Sequence, residues 1–226
     1  MIKAFTIRKP GDELSERLSD ELIASGKNFN IRIEKIDGVY SNQAEIIQQK
    51  GLHVFEKMKE AKKQNRGMQG CFLSHYQLWE KCLELNEPIL IFEHDALIIR
   101  PLPENFLDLF THHAILDYAC HYPDYEEIVL RDGPLKITNY PFIENVPATY
   151  KGMNSSHVKG SHAHAIKPAG ARKLIDNVKR YGFVASDMCV NQFYTSYITI
   201  DPIIARVNPY VSQKNRHLSH TKSWKY

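Results

Sequence analysis

Residues 87–95 read Glu87-Pro88-Ile89-Leu90-Ile91-Phe92-Glu93-His94-Asp95: four consecutive apolar residues follow a proline and run straight into an acidic end. A strand with one wet face alternates apolar and polar residues. An unbroken apolar run marks a strand covered on both faces, as in a parallel sheet packed between helices. Sheets of that kind hold ligands beyond the carboxyl ends of their strands, which makes Glu93 and Asp95 the place to look for a site. Two residues apart on extended backbone, their side chains would share one face. Two hard carboxylates there suit Mg²⁺ or Mn²⁺, with phosphate oxygens completing the shell. The plainer alternative is a solvated strand end that is merely acidic.

Upstream, Ile2–Ile7 reads as a first strand, broken by Pro10-Gly11-Asp12. Leu14, Leu18 and Leu22 recur every four residues and predict a helix ending near Ser25-Gly26. Ile31 and Ile33 begin a second strand that turns at Asp37-Gly38. Asn42 with Glu45 three residues on has capping-box spacing, so a short helix should follow. Gly67 and Gly70 flank a loop, after which Phe72, His75, Tyr76, Trp79, Cys82 and Leu83 keep helical spacing as far as Asn86-Glu87-Pro88. Downstream, 119–160 is rich in Tyr, Pro, Asp and Gly with poor periodicity, which predicts loops with short strands. Ser161–Ile166 alternates as a strand. Pro168–Tyr181 is a helix with Ala171, Leu174, Ile175 and Val178 inward. Ser186 or Asp187 caps another helix, and Ile198–Asp201 is a last strand. The alternation of strands and helices places the chain in the α/β class.

Composition narrows the function. At 226 residues the chain suits a single domain, and 43% hydrophobic with 24% charged residues excludes a wholly disordered or collagen-like chain. Lys+Arg 29 against Asp+Glu 26 is too balanced to announce nucleic-acid binding by composition alone. No apolar run is long enough for a membrane-spanning helix, and Met1–Arg8 is too short an apolar run for a signal segment. The four cysteines, Cys71, Cys82, Cys120 and Cys189, form no CxxC pair, so free thiols in a reducing, cytoplasmic setting are expected. Residues 56–66 are basic and polar, either a solvated helical face or a basic segment near a phosphate ligand. The tail carries Lys214, Arg216, His217, His220, Lys222 and Lys225. His162 and His164 share a strand face and could chelate a metal, but spacing implies no third ligand, and a polar strand face is the plainer reading. A zinc hydrolase built on His94, Asp95, His162 and His164 would need ligands from separate elements, with nothing to fix their geometry. Ser74 and His75 are adjacent on a helix, so their side chains diverge by about 100° and cannot form a nucleophile–base pair. Tyr76 and Trp79 read as core.

Gly70-Cys71-Phe72-Leu73-Ser74-His75, followed by Glu87–Ala96, resembles glycosyltransferase family 25, the lipooligosaccharide and collagen-type sugar transferases, in its GCxLSH helix and its apolar strand ending in acids. Phe5-Thr6-Ile7, Arg17 and Ile36-Asp37-Gly38 resemble the family's opening segment. Gly160–Leu174 and Ser186-Asp187 resemble later stretches, and the likeness thins between about 115 and 158. His94 stands where the family usually has a second adjacent acid.

The resemblance implies a single GT-A-like domain with a mostly parallel central sheet flanked by helices. Residues 1–113 would form a nucleotide-sugar-binding half, and 114–226 an acceptor half with the basic tail. It implies a UDP-linked or similar nucleotide-sugar donor, Mn²⁺ or Mg²⁺, and inversion at the anomeric carbon. On that view Asp95 binds metal, and Glu93 holds the nucleotide or the metal. Asp187 is the general base, with a helix cap as its alternative. Ser74 and His75 line the donor site or pack under it, with a buried, hydrogen-bonded His75 as the alternative; His94 and Arg17 line it; Lys214 and Arg216 hold the diphosphate, with a solvated basic tail as the alternative; and His217 or His220 adds a metal ligand. The acceptor expected is a surface glycan such as lipooligosaccharide. A hydroxymethylated pyrimidine in phage DNA is an alternative that rests on the basic segments. A catalytically dead binding protein is a further alternative that rests on His94.

Overall fold

The computed structural model describes residues 2–55, 66–120, 122–142, 162–190 and 192–211. β1 (Lys3–Arg8), α1 (Glu13–Lys27), β2 (Ile33–Asp37) and α2 (Gln43–Gln49) are followed by α3 (Arg66–Leu85), β3 (Ile89–Glu93) and β4 (Ala96–Ile98). A 3-10 turn at Phe106–Leu109 leads to β5 (His113–Ile115), α4 (Tyr125–Leu130), β6 (Lys136–Tyr140) and β7 (Ala163–Ile166). The described chain closes with α5 (Pro168–Tyr181), α6 (Ser186–Cys189), β8 (Tyr197–Asp201) and β9 (Ala205–Val207).

Seven strands form one sheet in the order β2-β1-β3-β7-β5-β8-β6, and β4 pairs with β9 in a separate ladder. β1 is parallel to both β2 and β3, and β5 is parallel to β8. β7 runs antiparallel between β3 and β5, and β6 runs antiparallel at the edge. Five of the seven strands therefore point one way, the mostly parallel α/β sheet expected from the run at 89–92.

The central place of β3 explains its composition. Ile89, Leu90, Ile91 and Phe92 are each 0% exposed. Ile89 and Ile91 pack with Leu73, Trp79, Leu174 and Val178 on the side of α3 and α5. Leu90 and Phe92 pack with Leu22, Ile33 and Phe110 on the opposite side. Each such burial contributes roughly 1.5–3 kcal/mol relative to exposure, so neither face tolerates a polar residue until the strand reaches its end. The expected helices α1 and α5 form, and Ala171, Leu174, Ile175 and Val178 are all buried.

Several local expectations are corrected. Gly67 and Gly70 lie inside α3 and not in a loop beside it. A Cβ on Gly70 would collide with the Val39 carbonyl oxygen; glycine lets the helix backbone press against the loop after β2. One turn on, the Ser74 hydroxyl donates to the Gly70 carbonyl at 2.6 Å and accepts the Val39 N–H at 2.8 Å, fastening that loop to α3. Asn42 does precede a helix, but its backbone is left-handed (φ 57°) and its side chain makes no cap bond. The cap of α6 is Ala185, with Ser186 and Asp187 inside the first turn, so neither caps the helix. α4 forms within 119–160, where only loops and short strands were expected. Its six residues are too few to show a period, yet they bury Tyr125, Ile128 and Val129. β8 is followed by β9, a short strand paired with β4. The basic stretch 56–65, Gly160 and Ser161, and the tail with Lys214, Arg216, His217 and His220 lie outside the described residues. Among the described residues, no helix is long and apolar enough to cross a membrane.

Candidate active site

β3 ends at Glu93 because the chain turns at His94-Asp95 and leaves the sheet as β4. The two acids sit at the carboxyl edge of the central strand, but on different supports. Glu93 continues the face of Ile89 and Ile91 and so meets α3. The His75 Nε2–H donates to Glu93 Oε1 at 3.0 Å, and the Cys71 thiol lies 3.8 Å from the same oxygen. Cys71 and His75 are four residues apart on α3, the spacing that brings two side chains onto one helical face. Cys71 Sγ also lies 3.1 Å from Ser186 Oγ, which ties α3 to α6.

Asp95 is held from behind. Its carbonyl accepts the Asn208 N–H at 2.7 Å, and the Asn208 side chain donates to Glu21 at 2.7 Å. The end of β9, α1 and the acidic turn are thereby clamped together, with Asn208 beside Asp95. Oδ1 of Asp95 is buried with no hydrogen-bond partner. Burial, and then the charge of Glu93, pushes the Asp95 carboxyl above the ordinary 3.8, against the opposing charges of His162 and His94. A buried carboxylate oxygen with no donor is under-satisfied, and a cation or a donor group would relieve it.

Asp187 stands in the first turn of α6, where its Oδ1 accepts the Met188 N–H at 2.9 Å. Burial first, and then the charges of Glu93 and Asp187, drive the Cys71 thiol well above its ordinary 9.0, against the Ser186 hydrogen bond that lowers it. The two acids therefore flank one thiol. Tyr40, on the loop that Ser74 fastens, overlooks the same place. Burial, followed by the charges of Cys71, Glu93 and Asp12, raises its phenol to about 12.

The other residues singled out from the sequence divide. Ser74 and His75 are buried, and His75 Nε2 meets Glu93 Oε1 at the edge of the site. His94 sits in the turn, within electrostatic reach of Asp12 and Asp95. Arg17 is on the outer side of α1, paired with Glu21 at 3.7 Å and 4.6 Å over the Tyr210 ring. His162 and His164 do not converge on a common ligand. His162 Nε2 lies 3.1 Å from Asp117 Oδ2, while His164 stacks between His75 and His113, 5.4 Å from each ring. Tyr76 and Trp79 are core, at 1% and 0% exposure. Among the described residues, metal-ligating side chains converge at Cys71, His75 and Glu93. Cys71 was not among the residues singled out, although its i,i+4 relation to His75 was visible in the GCFLSH stretch.

Behind the acids, the Asp117 carboxylate accepts from the Tyr125 hydroxyl and from His162. Burial alone would lower the His162 imidazole, but hydrogen bonds to Asp117 and Cys120, with their charges, hold it well above the ordinary 6.5. A raised folded value gives stability that is complete below the unfolded pKa of about 6.5 and is lost as pH rises through the folded value. The wild-type protein should therefore exceed Asp117→Asn in melting temperature by most below about pH 6.5, and by less as pH rises through the folded value. An advantage independent of pH in thermal unfolding would remove the imidazolium from this pair.

A model of glycosyltransferase family 25, described as an LPS biosynthesis protein, matches residues 14–190 of the chain. No curated protein matches it. Among solved structures, the apo form of mouse xyloside xylosyltransferase 1 is similar, with 8% identity, a TM-score of 0.39, and coverage of 84% of this chain and 80% of that one.

Proposed function

The chain belongs to glycosyltransferase family 25 and is a glycosyltransferase; from that premise we propose that it is a divalent-cation-dependent, inverting enzyme that moves a sugar from a UDP-linked or similar donor to a hydroxyl of a surface glycan such as lipooligosaccharide. The observation that carries the reading is the buried, partnerless Oδ1 of Asp95 at the end of β3, beside Glu93. Asp95 would hold Mn²⁺ or Mg²⁺, hard cations suited to a carboxylate and phosphate oxygens. When bound, the cation neutralises charge on the departing nucleoside diphosphate. Glu93, steadied by His75, faces the nucleotide or the cation. Asp187 takes the proton of the acceptor hydroxyl as that oxygen attacks the anomeric carbon from the face opposite the diphosphate.

Residues 1–113 would supply the donor side and 114–226 the acceptor side. Asn208, six residues before Lys214, bonds to the Asp95 carbonyl, which supports a role for the tail: Lys214 and Arg216 on the diphosphate, and His217 or His220 on the cation. The surface-glycan acceptor is supported by the family's description as an LPS biosynthesis protein. The DNA acceptor rests on basic segments outside the described residues, and no described feature favours it.

Thermal shift and calorimetry with UDP, UDP-glucose and UDP-galactose, each with and without Mn²⁺, test the proposal. Stabilisation by one donor only when Mn²⁺ is present is the expected result. Equal binding in a chelator would overturn the cation's role, and binding of no donor would overturn the donor class.

A further inference from the structure

We propose that Cys71, His75 and Glu93, the last through Oε1, form a Zn²⁺ site beside the cation position that the proposed function gives to Asp95. The three ligand atoms, Sγ, Nε2 and Oε1, all lie within 4.8 Å of one another. With Zn–S near 2.3 Å, Zn–N near 2.05 Å and Zn–O near 2.1 Å, a tetrahedral ion sets N and O about 3.4 Å apart and S and O about 3.6 Å apart. The observed separations are 3.0 Å for His75–Glu93 and 3.8 Å for Cys71–Glu93. Shifts of a few tenths of an ångström suffice for these two pairs, and the third, Cys71 Sγ to His75 Nε2, lies within 4.8 Å.

The donor set chooses the metal. A thiolate and an imidazole are poor partners for Mg²⁺ or Mn²⁺ and good ones for Zn²⁺, whereas the lone carboxyl oxygen at Asp95 has the opposite preference. Charge agrees with this: a thiolate and a carboxylate balance a dication in a partly buried place. Binding releases the Cys71 thiol proton to solvent as the Zn–S bond forms. His75 would supply Nε2 as a neutral ligand with its proton on Nδ1, which is buried and leaves that N–H without an acceptor. Two ligands are fixed on one face of a long helix and the third ends the central strand, so the site is carried on rigid elements. The Ser186 hydroxyl, 3.1 Å from Cys71 Sγ, or a solvent molecule entering beside the half-buried Glu93, completes the shell.

Zn²⁺ alone, titrated by calorimetry into the metal-free full-length protein without nucleotide, should bind once per chain and more tightly than Mn²⁺. Co²⁺ in its place should give a thiolate-to-cobalt charge-transfer band. Cys71→Ser should remove that band and weaken Zn²⁺ at least about 10-fold, the lower end of what loss of a metal-site partner costs; Cys82→Ser, at a buried thiol elsewhere in the core, should do neither. Should Cys71→Ser fail to fold, alkylation decides: in the wild-type protein Zn²⁺ should slow modification of Cys71. Cobalt bound without a charge-transfer band, unchanged Zn²⁺ affinity in a folded Cys71→Ser, or no protection from alkylation would each overturn the site. Because no donor is present, these results stand apart from the Mn²⁺ dependence of nucleotide binding, which tests Asp95.

Discussion

Asp95→Asn is expected to abolish cation-dependent donor binding and to cut transfer by about 100- to 1,000-fold, the usual cost of removing one preorganised electrostatic element at a reacting centre. The same substitution should leave thermal stability unchanged or raised. In the folded protein the Asp95 carboxyl is pushed above 3.8 by burial and by Glu93, and its Oδ1 has no donor. The fold therefore opposes the charged form of this carboxyl. An amide of the same shape removes that opposition along with the function, as expected where stability has been yielded to a site. Nucleotide titrations with and without Mn²⁺, beside a thermal melt, read both halves. Retained Mn²⁺-dependent affinity would end the assignment of Asp95; a large fall in melting temperature would show instead that its charge is structural.

The second large effect is expected at Asp187. Asp187→Asn keeps the side chain's shape and an oxygen able to accept the Met188 N–H, so α6 and its link to Cys71 should persist. What it loses is a group able to take a proton. Transfer should slow by roughly 100-fold or more, with donor affinity near that of wild type. Separate measurement of kcat and donor binding makes the distinction. Unchanged kcat would leave Asp187 as a residue of the first helical turn with no part in proton transfer.

The parts of the fold legible in the sequence are those written by burial. Ile89–Phe92 is apolar on both faces because both faces of β3 are covered, and α5 was legible from start to finish because its buried positions recur at helical spacing. Its Pro168 sits at the start of the helix, where the absent N–H costs nothing. Features set by one close approach were not legible. Gly70 looks like a loop residue until Val39 is seen to lie against it. Asn42 looks like a cap until its left-handed backbone turns the side chain away. Within the site, the acids at the end of β3 were visible, since a strand end can be read from local sequence. The partnership of Glu93 with Cys71 and His75 depends on α3 crossing that strand, a contact 18 to 22 residues away in the chain that no local pattern encodes.

β7 lies between β3 and β5, so the most apolar strand of the sheet gains one of its two neighbours only from residues 163–166. During synthesis, everything from β1 to β5 leaves the ribosome while one hydrogen-bonding edge of Ile89–Phe92 is still open. An open edge on so greasy a strand is a template for pairing with other chains. The sheet closes only through contacts of large sequence separation, a topology that slows folding and prolongs the exposure. Yield of soluble protein should therefore respond to translation speed and chaperone supply more than to any single surface residue, and a fragment ending before 163 would present that edge permanently.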